Sequence, residues 1–498
     1  MSIIKTENLT FSYPGSFVNV FENVSFQIDT NWKLGFIGRN GRGKTTFMKL
    51  LMNEYSYNGK ISASVDFYYF PFEVKDKDEM TLSVAEEVYP QLEQWELIKE
   101  LNMLKVDAEV LYRPFSTLSN GEQTKVMLAV LFLHRNGFLL IDEPTNHLDE
   151  DGRKIIMNYL NRKKGFILIS HDRAVLDGCI DHVLSINRLN IEVEKGNFSS
   201  WEQNKQAHDN FEISQNQKIQ KKIQNLQKAK KQAAEHSDKI EKTKIGFDPS
   251  KVEKSVSRRP SIAAKSKKLM NRAKAMETRI NTELEEQSKL LKEVEHIPKL
   301  RLSSLPYHSD KVLSLDKVSI AYDNRIVCEN VTFDVNKGDR VALKGKNGCG
   351  KSSVLKLIMG NDIDFSGSFY KNNQLKISYV NQDISCLNGN IADYAEKNEI
   401  DLTMFHTILR KLGFSREQFT QNLSGFSAGQ KKKVLIAASL CTPAHLYIWD
   451  EPLNYLDVFS RRQIEELLLD FQPTIIFVEH DSVFRNKIAT KVITIEQA

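Results

Sequence analysis

The sequence predicts an α/β protein of two tandem domains of one kind, joined by a long helical hairpin. Three observations carry that expectation. First, a set of motifs occurs twice in one order. Gly38-Arg39-Asn40-Gly41-Arg42-Gly43-Lys44-Thr45 recurs as Gly345-Lys346-Asn347-Gly348-Cys349-Gly350-Lys351-Ser352. Ser119-Asn120-Gly121-Glu122-Gln123 recurs as Ser427-Ala428-Gly429-Gln430-Lys431, Asp142-Glu143-Pro144 as Asp450-Glu451-Pro452, and His171-Asp172 as His480-Asp481. The offset stays between 307 and 309 residues, as a duplicated domain requires. Second, each glycine-rich loop lies between an apolar run and a helix-like run, Lys33–Ile37 and Phe47–Leu51 in the first copy, Arg340–Leu343 and Val354–Ile358 in the second. Third, the segment between the copies has helical periodicity and almost no glycine.

Composition narrows the class. A chain of 498 residues has room for two or three domains of about 150 residues. No apolar run approaches about eighteen residues, so no membrane span is expected. The first ten residues lack the basic start and apolar core of a secretory signal. Five scattered cysteines fit neither a disulfide framework nor a zinc site. A soluble cytoplasmic protein is expected. The domains are placed at 1–200, 201–300 and 301–498.

Residues 201–300 carry 23 Lys+Arg against 14 Asp+Glu, while the rest of the chain is mildly acidic. Residues 221–274 alone carry a net charge of +12. Such asymmetry suggests a polyanionic partner; charge by itself leaves a solvated lysine-rich helix equally open. Ile219, Ile223, Leu226, Ala233 and Ile240 form one apolar seam, and Ile262, Leu269, Ala273, Met276, Ile280, Leu284, Leu291 and Val294 form another. The break falls at Gly246-Phe247-Asp248-Pro249, and Pro260 suits the start of the second helix. An antiparallel hairpin with a basic loop near 244–260 follows, and its arms of about 40 residues would each span ~60 Å.

The glycine loops have the form Gly-x4-Gly-Lys-Ser/Thr, which wraps a phosphate. Gly38, Asn40, Gly41 and Gly43, like Gly345, Asn347, Gly348 and Gly350, let successive N–H groups point inward. The helix that follows presents its positive end, beginning with Thr46 in one copy and Ser353 in the other. Lys44 and Lys351 are assigned to the outer phosphates of ATP, and Thr45 and Ser352 to Mg²⁺. Asp142 and Asp450 each end an apolar run, where a parallel strand would present them to the nucleotide, and are assigned to Mg²⁺ through water. Glu143 and Glu451 come next and would polarise the attacking water. His171 and His480 end further apolar runs and would contact the γ-phosphate.

The run Ser-x-Gly-Glu/Gln ahead of the Asp-Glu strand resembles the signature of ATP-binding cassette (ABC) ATPases, as do Asp142–Asp149 and the switch His171. That resemblance implies two P-loop ABC ATPase domains stacked head to tail within a monomer. Site one then takes Lys44, Thr45, Asp142, Glu143 and His171 with Ser427 and Gly429 of the other cassette. Site two takes Lys351, Ser352, Gln382, Asp450, Glu451 and His480 with Ser119 and Gly121. In that family a glutamine after the next strand joins the Mg²⁺ site; Gln382 matches, whereas Tyr69-Phe70-Pro71-Phe72 stands in the first half. Glu479 likewise replaces Ser170 before the switch histidine. Unequal hydrolysis at the two sites is therefore open. Tyr13 and Tyr322 match the adenine-stacking position, and a core role is equally open for both. Cys349, inside the second loop, would block that site when alkylated if it is exposed.

Two cassettes, no span and a linker of about 100 residues resemble the ABC-F family. That resemblance implies binding to the bacterial 70S ribosome near the tRNA exit site, with the linker directed at rRNA and P-site tRNA. Lys44 to Ser119 is 75 residues and Lys351 to Ser427 is 76, so the first cassette has no room for an extra arm. Lacking an arm, and with Asp29–Lys44 closest to the Lsa type, the chain resembles the Lsa/Vga antibiotic-resistance branch. It implies protection of the peptidyl-transferase centre from lincosamides, streptogramin A and pleuromutilins by insertion of the linker loop. Lys244, Phe247, Lys251, Lys254, Arg258 and Arg259 are the loop candidates; Phe247 would stack on a base or cap the hairpin's own seam. The alternatives are a housekeeping ABC-F translation factor acting on peptidyl-tRNA and the ATPase subunit of a membrane exporter.

Overall fold

The computed structural model describes residues 2–15, 19–134, 136–146, 148–187, 190–245, 267–268, 271, 274–276, 278–283, 298–322, 325–385 and 387–496; side chains of residues 230, 233–245 and 325 are outside that description. Residues Met1–Trp201 together with Ile297–Ala498 form one compact unit, and Glu202–His296 forms another.

The first cassette opens with β1 (Ile3–Phe11) and β2 (Phe21–Asp29), continues through β3 (Lys33–Ile37), α1 (Lys44–Leu51), β4 (Asn58–Ser62) and β5 (Asp66–Phe70), and then turns helical. Helices α2 (Thr81–Val88), α3 (Gln94–Met103) and α4 (Asn120–Leu131) precede β6 (Gly137–Asp142), α5 (Glu150–Asn161), β7 (Phe166–Ile169), α6 (Arg173–Cys179), β8 (His182–Ile186) and β9 (Ile191–Lys195). An antiparallel sheet of order β2-β1-β4 lies apart from the main sheet, whose order is β5-β6-β7-β3-β8-β9. All neighbours in the main sheet are parallel except β8 and β9. A parallel sheet is covered on both faces, and every residue of Phe166–Ile169 is accordingly buried. Burying each such apolar side chain fully contributes roughly 1.5–3 kcal/mol.

Chain order explains the position of the chemistry. Strand β3 lies between β7 and β8, and β6 lies on the far side of β7. The carboxyl ends of β3, β6 and β7 therefore meet, carrying the glycine loop, Asp142-Glu143 and His171 to one edge.

The second cassette repeats the plan. It comprises β10 (Lys311–Tyr322), β11 (Arg325–Asn336), β12 (Arg340–Lys344), α8 (Lys351–Met359), β13 (Phe365–Lys371), β14 (Ile377–Val380), α9 (Ile391–Lys397), α10 (Leu402–Lys411), α11 (Ala428–Cys441), β15 (Leu446–Asp450), α12 (Val458–Phe471), β16 (Ile475–Val478), α13 (Ser482–Ile488) and β17 (Lys491–Thr494). Its parallel sheet has the order β14-β15-β16-β12-β17, and its antiparallel sheet the order β11-β10-β13. Trp449, Tyr447 and Phe477 are fully buried in its core.

Helix α7 (Phe198–Ile245), most of which belongs to the second unit, has 48 residues, about 72 Å at 1.5 Å per residue. Ile219, Ile223 and Leu226 are half-buried while the residues beside them are exposed. These are three of the five residues of the first expected seam; of the second, Ile280 is buried but Met276 is exposed, a departure from the expectation. Helical residues return at 267–268, 271, 274–276 and 278–283. Lys244 lies in the long helix; Phe247, Lys251, Lys254, Arg258 and Arg259 lie outside the described residues, as does the expected break.

Candidate functional site

Each glycine loop starts its helix through a glycine in the left-handed region: φ is 93° at Gly43 and 91° at Gly350. Gly41 and Gly348 share that geometry, and a side chain there would meet nothing within 4 Å. Each loop therefore leaves open space beside its central glycine, as an anion cradle requires. The Lys44 ammonium lies inside its loop, donating to Gly38 O at 2.7 Å, and Lys351 donates to Gly345 O at 2.8 Å and Lys346 O at 2.7 Å. Burial lowers the Lys44 pKa, although Asp457, Glu143 and Asp142 favour its charge.

The Mg²⁺ candidates meet in pairs. Thr45 Oγ1 donates to Asp142 Oδ2 at 2.8 Å, and Ser352 Oγ donates to Asp450 Oδ2 at 2.9 Å. Asp450 Oδ1 is buried with no hydrogen-bond partner among the described residues. An orphaned carboxylate oxygen beside a hydroxyl and a phosphate cradle is a donor set that fits Mg²⁺ with ATP. Burial raises the Asp450 pKa with help from Glu451, although Ser352, Lys432 and Lys351 oppose them.

Glu143 and Glu451 both adopt the left-handed region, with φ of 53° and 46°. A non-glycine residue held there is strained, and the strain recurs where chemistry is expected. The two glutamates differ in surroundings. Glu143 Oε1 lies 3.2 Å from His171 Nε2 yet has no hydrogen-bond partner among the described residues. Burial, reinforced by Asp142, pushes its pKa up to about 8. The His171 pKa falls well below its usual value through burial and the charges of Lys44 and Arg461. Both members of that pair thus lean neutral. Glu451 Oε2 accepts from Gln382 Nε2 at 2.9 Å and Asn454 Nδ2 at 2.5 Å, while His480 Nε2 lies 3.4 Å from Oε1. Burial opposes ionisation there, but His480, Lys432 and Lys351 outweigh it, and the Glu451 pKa is lowered.

The signature serines are helix caps. Ser119 and Glu122 form a capping box at the start of α4, and Ser427 with Gln430 forms one at the start of α11. The Glu or Gln of the motif therefore holds the helix end in place. Those ends face the other cassette. Asn40 Nδ2 donates to Tyr455 O at 2.8 Å, and Gly429 approaches so closely that a Cβ would lie 2.8 Å from Asn40 Nδ2. On the other side, a cavity of about 390 Å³ is lined by Asn347, Ser352, Gln382, Glu451 and His480 with Asn120 and Arg153 of the first cassette. The head-to-tail arrangement is thus present within one chain.

Several residues were not legible as partners. Arg173 pairs with Glu465 at 2.9 Å and Arg485 with Glu150 at 2.9 Å, both between cassettes. Each arginine follows a switch histidine closely, yet its partner lies about 300 positions away in the chain. Asp457 holds Lys433 Nζ at 3.0 Å and reaches the Asn40 backbone N at 3.4 Å. Burial opposes its charge, and Lys433 overcomes that, so its pKa is lowered. Phe72 occupies the register position of Gln382 and packs against the core. Glu479 ties Leu453 N at 2.6 Å to His480 N at 3.1 Å, where Ser170 accepts from Asp172 N. Tyr13 hydrogen-bonds Thr46 Oγ1 at 2.6 Å and, like Tyr322, is partly exposed. Cys349 is buried beneath Gly345, so the exposure on which a block by alkylation depended is not met.

The ABC transporter family profile matches residues 21–146 and 328–454, just over half of the chain. The ATP-binding protein Uup of Buchnera aphidicola is 27% identical over 99% of this chain and 80% of its own length. The ribosome protection protein VmlR of Bacillus subtilis is 27% identical, covering 96% of this chain and 84% of its own. ABC transporter F family member 5 of Arabidopsis thaliana is 24% identical, covering 99% and 75%. Among solved structures, the archaeal ribosome recycling factor aABCE1, in complex with stalk protein aP1, superposes with a TM-score of 0.62 at 17% identity, covering 98% of this chain and 87% of its own. That last likeness concerns the fold alone. With its duplicated phosphate loops, capped signature helices and paired sites, this chain belongs to the ATP-binding cassette family and is an ATP hydrolase of the ABC-F group.

Proposed function

We propose that this protein is a cytoplasmic, monomeric ATPase that binds the bacterial ribosome and protects its peptidyl-transferase centre from drugs. The observation that carries the reading is the contrast between an acidic two-cassette body and a linker with a net charge of +12 over residues 221–274. Lys and Arg at that density displace counterions from RNA phosphates, which gives affinity without base reading. VmlR, a ribosome protection protein by name, aligns along nearly the whole chain.

In this reading, Lys44 and Lys351 neutralise the outer phosphates, and Thr45, Asp142, Ser352, Gln382 and Asp450 hold Mg²⁺. Bound Mg²⁺ would supply positive charge to the β- and γ-phosphates. Glu143 and Glu451 orient the attacking water, and His171 and His480 hold the γ-phosphate. Gly38, Asn40, Gly41, Gly43, Thr46, Gly345, Asn347, Gly348, Gly350 and Ser353 line the phosphates, with Tyr13 and Tyr322 at adenine. Ser427 and Gly429 close site one, and Ser119 and Gly121 close site two. ATP favours the closed pair of cassettes, and the closed form favours the ribosome; the ligand shifts a population by its differential affinity. The linker loop, with Lys244, Phe247, Lys251, Lys254, Arg258 and Arg259, then reaches the drug pocket near P-site tRNA.

The test combines Glu143→Gln with Glu451→Gln. The double variant should retain ATP and co-sediment with 70S particles, and cells expressing the wild-type chain should survive lincosamide, streptogramin A or pleuromutilin. Deleting residues 244–259 should keep ATPase activity and lose protection. Altered peptide synthesis without drug, and no protection, would favour a housekeeping translation factor. No co-sedimentation with MgATP would remove the ribosome altogether and reopen the exporter reading.

A further inference from the structure

Strand β5 ends in Tyr69-Phe70 and β14 in Tyr379-Val380. Tyr69 pairs with Leu140, two residues before Asp142, and Tyr379 with Ile448, two before Asp450. The two tyrosines therefore occupy one position in the duplicated sheet. Their hydroxyls have different partners. Tyr69 Oη donates to Asp142 Oδ2 at 2.9 Å, whereas Tyr379 Oη donates to Asn381 Oδ1 at 3.4 Å. Three residues further on, Gln382 reaches Glu451, while Phe72 packs against the hydrophobic core.

The same Asp142 oxygen also accepts from Thr45. Two donors on one oxygen fix the carboxylate plane and its distance from the glycine loop. In site two only Ser352 plays that part among the described residues, and the glutamine stands nearby. We propose that Tyr69 is a positioning residue of site one, its phenol holding Asp142 against Thr45 for Mg²⁺ where the family's glutamine is missing.

The inference rests on the reading of site one as an ATP·Mg²⁺ site, and the experiment separates the two. The full chain carrying Lys351→Ala reports on site one alone, and Lys44→Ala reports on site two. Fluorescent ATP binding is titrated with MgCl₂, and bound Mn²⁺ is followed by paramagnetic resonance. In the first background, Tyr69→Phe should raise the Mg²⁺ needed for half-saturation about tenfold, as loss of a hydrogen bond to a charged group implies. Metal-free ATP binding should be unchanged, and the Mn²⁺ signal should alter. In the second background, Tyr379→Phe should change neither readout. An unmoved Mg²⁺ requirement in Tyr69→Phe overturns the proposal. So does an equal loss of ATP binding with and without metal, which is the mark of general structural damage, or an equal shift in Tyr379→Phe. If adding Lys44→Ala to the first background leaves binding intact, the site itself is misassigned and the underlying reading fails first.

Discussion

The two signature glycines look equivalent in sequence, but their surroundings predict unequal responses to Gly→Ala. A Cβ on Gly429 would lie 2.6 Å from Tyr455 O and 2.8 Å from Asn40 Nδ2. A Cβ on Gly121 would meet only Leu148 Cδ2, at 3.2 Å. A leucine methyl yields by a small rotation. The Tyr455 carbonyl cannot, because Tyr455 is already left-handed at φ 63° and its oxygen accepts from Asn40 across the cassettes. Overpacking costs about 1–3 kcal/mol and the lost hydrogen bond about 0.5–1.5 kcal/mol. Gly429→Ala should therefore weaken cassette closure by about 2–4 kcal/mol, roughly 30- to 700-fold in the equilibrium. Gly121→Ala should cost under about 1 kcal/mol in the same equilibrium. Energy transfer between dyes on the two cassettes, titrated with ATP in the Glu143→Gln/Glu451→Gln background, measures closure directly. Equal losses for the two alanines, or a greater loss for Gly121→Ala, would refute the reasoning.

Three further outcomes are expected. Arg173 and Glu465 are both nearly inaccessible, so Glu465→Gln, which leaves the arginine charge uncompensated, should destabilise the folded chain by about 3–5 kcal/mol in a denaturant melt. Arg173→Met combined with Glu465→Leu should recover much of that loss, and a double variant as unstable as the single would contradict the assignment. Burial raises the Glu150 pKa, but hydrogen bonds from Lys154 and Arg485 prevail and hold it at about 2. Its contribution is thus complete above the ordinary glutamate range and fades as pH falls toward 2, so Glu150→Gln should flatten the acid limb of stability between those values. Thiol reagents should spare the native protein at Cys349, which is buried, and at Cys179 and Cys441, whose thiols burial pushes up to about 12. Rapid labelling of any of the three before unfolding would contradict their burial.

Local chemistry wrote much of this protein into its sequence. Gly41, Gly43 and Lys44 must be neighbours to wrap one phosphate, so their spacing is readable, and duplication doubled the signal. The apolar runs ending at Asp142, Asp450, His171 and His480 were equally readable, because a parallel strand buried on both faces tolerates few polar residues. Even the capping boxes at Ser119 and Ser427 were spelled out as Ser-x-x-Glu/Gln, although the motif reads first as nucleotide chemistry. What the chain order could not convey is which residues meet across the interface. Arg173 with Glu465, Arg485 with Glu150, and Asn40 with Tyr455 are joined only once two sheets pack head to tail. Tyr69 and Tyr379 follow the same rule on a smaller scale: they hold equal places in a repeated strand yet bond different partners, with Phe72 three residues after one and Gln382 three residues after the other. Spacing along the chain records contacts made within one turn or one strand, whereas contacts between surfaces depend on docking geometry, and that was decided by the tertiary structure alone.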